Sequence, residues 1–364
     1  MAIDMKSILK PSANWLLVFI PITLWLERSG ASDPMIFFGA ALAIVPIAML
    51  IVHSTEQVAV HTGDAVGGLL NATFGNAPEL IISLVALRAG MHELVLGSLA
   101  GAVLANALFA TGLSFLLGGL RKKEQQFNPT NARLLTSMML IVVVSLMVPS
   151  AFYRTFEGKV DESVIASLNV WVAVLLLVGY ALYLVFTMGT HKHLFEAVGG
   201  GEAHEGPKPS LMAALVKLVV ASVLAAFMSE VLVGAAEGTG EVLGLSQAFI
   251  GMVLLALVGG AAESFSAIAV ARKDKLDMSL GITMGSSVQI VLFVTPVLVL
   301  SSLLMDGPPL LIRFGTGTIV SVLLTALLAG AVTADGRSQW FKGVQLLMVY
   351  VVLALLLLFM PDMR

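Results

Sequence analysis

The chain has 364 residues, 58% of them hydrophobic and only 12% charged. Soluble domains carry about 25% charged residues and single soluble cores stop growing at about 250–300 residues, so this apolar excess belongs in lipid and not in a soluble enzyme. A net charge of −3 offers no footprint for a nucleic-acid partner, and the absence of cysteine excludes a disulfide framework, a thiolate metal site and a catalytic thiol.

A helix crosses the hydrocarbon with about 20 mostly apolar residues. The first candidate, 14–29, is a short apolar run behind Lys6 and Lys10. It also fits a signal peptide, but no clear small-x-small cleavage site follows and the run meets Glu27 and Arg28, so a retained helix is expected. The next candidates are 34–53 and the stretch from Asp64 to Arg88, which holds a single acid, Glu79. Charge-free stretches then run between Glu93 and Arg121, Arg133 and Arg154, and Glu162 and Lys192. After 210–236, the stretch from Glu241 to Arg272 again holds one acid, Glu263. Three more charge-free stretches lie between Asp277 and Asp306, Arg313 and Asp335, and Lys342 and Asp362. The expected fold class is therefore all-α, a polytopic membrane protein of about eleven transmembrane helices. With the N-terminus in the cytoplasm, fourteen of the 20 lysines and arginines fall on cytoplasmic ends. This predicts N-in and C-out.

The longest connection, 189–209, is rich in Gly, His and Glu and reads as a polar linker. Glu196, Glu202, Glu205, His191, His193 and His204 have no fixed metal-ligand spacing, which favours a solvated loop over a cation-sensing site.

The chain repeats itself at a separation of 184 residues. GNAPE at 75–79 falls on GGAAE at 259–263, Glu79 on Glu263, Arg88 on Arg272, Gly97 on Gly281, Gly101 on Gly285, Phe109 on Phe293 and Thr111 on Thr295. The units predicted are residues 1–33 with the first helix, a five-helix repeat at 34–188, the linker at 189–209 and a second repeat at 210–364. Five spans separate equivalent helices, so the two copies cross the membrane in opposite directions. This is the inverted repeat of many transporters, with the substrate site near the midplane.

Insertion scales charge roughly 2.5–3.5 kcal/mol for an ionised residue at a helix centre, and neither span offers Glu79 or Glu263 a basic neighbour. Gly75, Pro78, Gly259 and Gly260 break the helix within a turn of each acid. Broken backbone at membrane depth is tolerated where it lines a cavity. Glu79, Glu263, Gly75, Asn76, Gly259 and Gly260 thus form a candidate oxygen-only cation site, better suited to Ca2+ than to Zn2+. A desolvated carboxyl holds either a proton or a cation and is rarely bare, which is the physical basis of cation/proton antiport. Ser98, Asn106, Ser286, Ser287 and Gln289 are candidate lining residues, against a packing role for small polar faces. Glu56, Glu230 and Glu237 lie nearer span ends, where they guide cations, relay protons or sit in water. Asn76 stands three residues before Glu79 and can donate to it, whereas Gly260 supplies no amide to Glu263. This predicts two unequal sites and a gain in Ca2+ binding from Gly260→Asn. No nucleophile–base pair, HExxH motif or P-loop supports an enzyme. No cofactor is expected beyond Ca2+ itself as transported substrate.

GGLLNATFGNAPELIISLVAL at 67–87, SEVLVGAAEG at 229–238, GGAAE at 259–263 and LGITMGSSVQIVLFVTPVLVL at 280–300 resemble the calcium/proton exchanger (CAX) family of the Ca2+:cation antiporter superfamily, over nearly the whole chain. The resemblance implies eleven spans, two inverted repeats and Ca2+ movement driven by protons. It places the essential acids on Glu79 and Glu263, helper polar residues on Asn76, Ser287 and Gln289, and flanking acids on Glu56 and Glu230. The chain departs from the family where Gly260 replaces an asparagine, Ser264 a histidine, and Ala102 and Ala105 serines. The implied setting is a bacterial-type cytoplasmic membrane, with lipid, Ca2+ and H+ as partners and the oligomeric state open. Mn2+/H+ or Na+/Ca2+ exchange, and an uncoupled cation channel, remain alternatives.

Overall fold

The computed structural model describes residues 13–191 and 210–359. The expected linker cluster, His191 excepted, lies outside them. A 3-10 turn, Ala13–Val18, leads into α1 (Phe19–Arg28). A first helical region then runs through α2 (Asp33–Phe74), α3 (Ala77–Arg88), α4 (His92–Leu104), α5 (Thr111–Gly119), α6 (Pro129–Phe156) and α7 (Glu162–Leu184). The second runs through α8 (Leu211–Gly234), α9 (Ala236–Leu243), α10 (Gln247–Phe249), α11 (Ala256–Gly259), α12 (Ala261–Ala271), α13 (Leu276–Gln289), α14 (Thr295–Ser302), α15 (Thr316–Thr333) and α16 (Trp340–Leu358).

By length and apolarity, eight helices among the described residues can cross a membrane, or nine if the pair Gln247–Gly259 and Ala261–Ala271, bent by 54°, is one span. Two expected spans differ. Residues 34–53 and the start of 64–88 are one 42-residue helix, α2. The polar stretch between them, His53 to Thr62, contains neither Gly nor Pro, so nothing ends the helix there. It stops at Gly75 and Asn76, and α3 follows with only 12 residues.

The bundle is apolar outside as well as inside, as a lipid-facing protein must be. Trp171 and Leu175 on α7, and Val219 and Val223 on α8, are each more than 60% exposed. At the centre α2 packs along α8, α3 lies against α8, and α12 lies against α2. Two short strands close one end of the bundle: β1 (Gln125–Gln126) pairs antiparallel with β2 (Arg337–Ser338), joining loops from the two regions.

Element boundaries recur at the separation read from the sequence. α3 starts at Ala77 and α12 at Ala261, α4 at His92 and α13 at Leu276, α5 at Thr111 and α14 at Thr295. Both α4 and α13 pass into a π turn, Ala105–Ala110 and Ile290–Val294. Each π turn is closed by the next threonine. Thr111 Oγ1 donates to Asn106 O and Thr295 Oγ1 to Ile290 O, both at 2.9 Å. π turns cluster at functional sites because the extra residue re-aims the side chains around it. Here that residue region includes Asn106.

Candidate functional site

Glu79 and Glu263 occupy the first turns of α3 and α12. Their capping residues, Asn76 and Gly260, share a non-helical backbone, φ −94° and ψ 21° against φ −79° and ψ 13°. Glycine and proline at these points stop one helix and start the next, so two helix N-termini converge at mid-bundle. Both glutamates are 6% exposed. All four carboxyl oxygens are buried without a hydrogen-bond partner among the described residues. Leaving such groups unpaired costs several kcal/mol each in an apolar medium, so this arrangement is one that a proton or a cation completes.

The neighbours are close. A Cβ on Gly259 would stand 3.1 Å from Glu79 Cγ, so Gly259 is the surface against which Glu79 lies. A Cβ on Gly260 would meet Ala256 O at 3.2 Å, Asn106 Oδ1 at 3.4 Å and Glu79 Oε1 at 3.8 Å. Asn106 is 1% exposed, and both ends of its amide are unpartnered among the described residues. Glu79, Glu263 and Asn106 therefore supply buried oxygens of the kind a hard divalent cation takes. The carbonyls of Asn76 and Gly260 already accept from Leu80 N and Ser264 N, at 3.1 and 3.0 Å.

The expected pairing of Asn76 with Glu79 does not form. Asn76 caps α3, and its side chain turns across to α13. It donates to Gln289 Oε1 at 2.6 Å and accepts from Ser286 Oγ. Gln289 is thereby engaged as well, so an Asn76 donor does not distinguish the two acids. The gain expected from Gly260→Asn is corrected with it, because Asn106 and Glu79 already fill the space in front of Gly260. Gly260→Asn is expected to lower Ca2+ flux at every pH between 6 and 8 (roughly the range in which a desolvated carboxyl titrates). A wild-type rate at equal membrane amounts would refute this crowding.

Ser98 is buried, donates to Val95 O at 2.8 Å and lies 3.3 Å from Ser83 Oγ. Ser287 is buried and donates to Thr283 O, one turn back on its own helix. Thr111 Oγ1 lies 2.8 Å from Thr283 Oγ1, joining the two regions. Among the described residues no group of three or more His, Cys, Asp or Glu forms a metal cage.

Two cavities flank this centre. One, of about 390 Å3, is lined by Glu263, Gly75, Asn76, Ser286 and Gln289 at its floor, and by Glu56 and Asp277. The other, of about 580 Å3, is lined by Glu237, Glu93, Asp306, Arg88, His92 and Arg313. They lie at opposite ends of the continuous run Leu276–Ser302, since Asp277 lines the first and Ser302 the second. Glu79 faces neither. It lines a small space of about 10 Å3 with Ser83, Ser98, Ala102 and Gly259, about enough for one water. Glu230 is exposed and lines neither cavity. The sequence reading passed over Glu93 and Asp277, although the separation of 184 residues that paired the glutamates pairs these two as well.

The sodium/calcium exchanger protein family matches residues 33–189 and 213–359. The chain is 41% identical to the Ca(2+)/H(+) antiporter of Synechocystis sp., over 96% of this chain and 97% of that one. It is 40% identical to the Ca(2+)/H(+) antiporter of Aphanothece halophytica, over 95% and 96%. The structure of native YfkE superposes with a TM-score of 0.82 at 31% identity, covering 96% of this chain and all of that one. A match across both helical regions and near-complete coverage of its relatives lead to one conclusion: the chain belongs to the sodium/calcium exchanger protein family, among its calcium/proton exchangers.

Proposed function

We propose that this integral membrane protein is a secondary active antiporter that exchanges Ca2+ for H+ by alternating access, with Glu79 and Glu263 holding either the cation or protons. The observation that carries it is the pair of buried carboxyls without a hydrogen-bond partner among the described residues, one of which, Glu263, lines the 390 Å3 cavity. The curated relatives bearing that activity in their names support the choice of ion.

The two acids cannot both be bare and ionised side by side in a dry site. A divalent cation satisfies both charges, and protons satisfy them when it leaves. Neither form can be skipped without exposing a buried charge, which couples the two fluxes. Residues 34–188 and 210–364 act as inverted repeats, and counting α1 and α3 as membrane segments brings the total to eleven. Supporting this is the common spacing of α3–α5 and α12–α14, together with the crossed packing of α3 on α8 and α12 on α2. The excess of basic residues places the floor of the 390 Å3 cavity within reach of the cytoplasm, with N-in and C-out in a bacterial-type cytoplasmic membrane.

Flux in sealed vesicles tests the function. An outward or inward pH gradient should drive Ca2+ against its own gradient in the opposite direction to protons. Equilibration without accumulation would identify a channel instead. A Mn2+ or Na+ gradient substituting fully for protons or Ca2+ would reassign the ions. Topology is tested separately, because the chain has no native cysteine. Cysteines placed at the exposed positions Ala89 and Lys273 should react with an impermeant thiol reagent from opposite faces. Reaction of both from one face of intact cells would rule out inversion.

A further inference from the structure

The 390 Å3 cavity has a wall that leads to the acids. Asp277, Gly281, Ser286 and Gln289 of α13 all line it. At 1.5 Å per residue the stretch from Asp277 to Ser286 is about 13 Å long, which carries it from the first turn of α13 to the floor beside Glu263. Gly281 has open space where a Cβ would stand, so the helix itself does not narrow the way. Asp277 is half-buried, and its Oδ1 accepts from the Asn128 backbone N at 2.7 Å, which orients it.

The rim outside is positive. Arg121, Lys122, Lys123, Arg272 and Lys273 are exposed. Their two loops are held together by Gln125, which donates to Ala271 O at 2.9 Å and to Asp274 Oδ1 at 2.8 Å. Lys122 is paired with Asp274 at 3.4 Å, but Arg121, Lys123, Arg272 and Lys273 have no acidic partner among the described residues. Such a rim repels a divalent cation unless negative charge lies just within it. Glu56 and Asp277 are the acids lining the cavity above Glu263.

We propose that Asp277 is a recruiting carboxylate for the transported cation. It draws Ca2+ past the basic rim and delivers it along the Gly281–Ser286 face of α13 to Glu263, which lines the same cavity. The assignment rests on the proposed exchange. Its repeat counterpart Glu93 lines the opposite cavity and serves as the control. Asp277 also stands in the first turn of its helix, where any acid helps the N-terminus. The test must therefore separate recruitment from capping.

Asp277→Asn does so, because the carboxamide oxygen still accepts from Asn128 N while the charge is gone. In proteoliposomes with Ca2+ presented at the face of this cavity, Asp277→Asn should raise the half-saturating Ca2+ concentration by about three- to tenfold at low ionic strength. The maximal rate should hold, and the difference should shrink as salt is added. Asp277→Glu should restore the wild-type value, and Glu93→Gln should leave it unchanged. Wild-type saturation by Asp277→Asn overturns the proposal. So does an equal shift by Glu93→Gln, which would mean a general surface-charge effect, or a lower maximal rate at unchanged half-saturation, which would mean a structural role. Should Asp277→Asn not fold, Gly281→Cys keeps the question open to measurement. A cationic thiol reagent should outpace an anionic one there, and equal rates overturn the proposal. Failure of the exchange reading is distinguishable, since Glu263→Gln would then transport as wild type whatever Asp277 does.

Discussion

Glu263→Gln is expected to reduce proton-driven Ca2+ flux to background while leaving the protein inserted and folded. Glutamine keeps the length and removes both the negative charge and the titrating proton. A divalent cation would then face one carboxylate and an amide in a site with little access to water, and the amide's N–H2 group repels it. Burial of the variant side chain is also cheaper than burial of an ion, so protein amount and thermal stability should hold or rise. The same loss is expected for Glu79→Gln. Its aliphatic stem lies against the Gly259 backbone, and glutamine fits that space unchanged. Purified variants reconstituted at equal density, assayed for Ca2+ accumulation under an imposed pH gradient, decide the matter. Wild-type rates from either variant would remove both acids from the mechanism.

The largest structural effect is expected at Gly101. The α carbon of Gly101 on α4 faces the Met252 backbone in the π turn that follows α10, and an added Cβ would collide with the Met252 carbonyl and α carbon. Four residues earlier Gly97 meets Gly251, where a Cβ on Gly251 would stand 3.1 Å from the Gly97 α carbon. Backbone cannot swing aside as a side chain can, so even one methyl group must push the two helices apart. Gly101→Ala should cost about 3 kcal/mol, the upper part of the overpacking range, and lower the thermal midpoint of the detergent-solubilised protein by several degrees. Gly179→Ala, on α7 with open space around it, should not lower it. Equal midpoints for the two variants would show that the contact at Gly101 relaxes freely.

Much of this was legible in the sequence because lipid leaves the chain few choices. Long charge-free stretches read as spans, and the two lone acids at one separation both prove to be buried in the first turn of a helix that follows a break. What the sequence did not disclose is where a helix ends inside an apolar run. Residues 54–62 look like a loop by polarity, yet they lack the glycine or proline that would end α2. Side-chain direction was equally hidden. Three-residue spacing suggested that Asn76 serves Glu79, but a capping residue leaves the helical path, and Asn76 reaches Ser286 and Gln289 instead. Asn106 was visible as a polar residue in a span. Its contact distance to the bare face of Gly260 needed coordinates, because it depends on how α4 crosses α11 and α12.

The Asn76–Ser286–Gln289 network makes the two regions unlike each other at positions 184 residues apart. A dimer of two identical first halves would bring Asn76 opposite Ala102 and Ala105, which offer its amide nothing. Two identical second halves would set Ser286 and Gln289 opposite Gly260, again without a mate. Each region supplies what the other lacks, so the network forms only between unlike partners, and neither region paired with a copy of itself could make it.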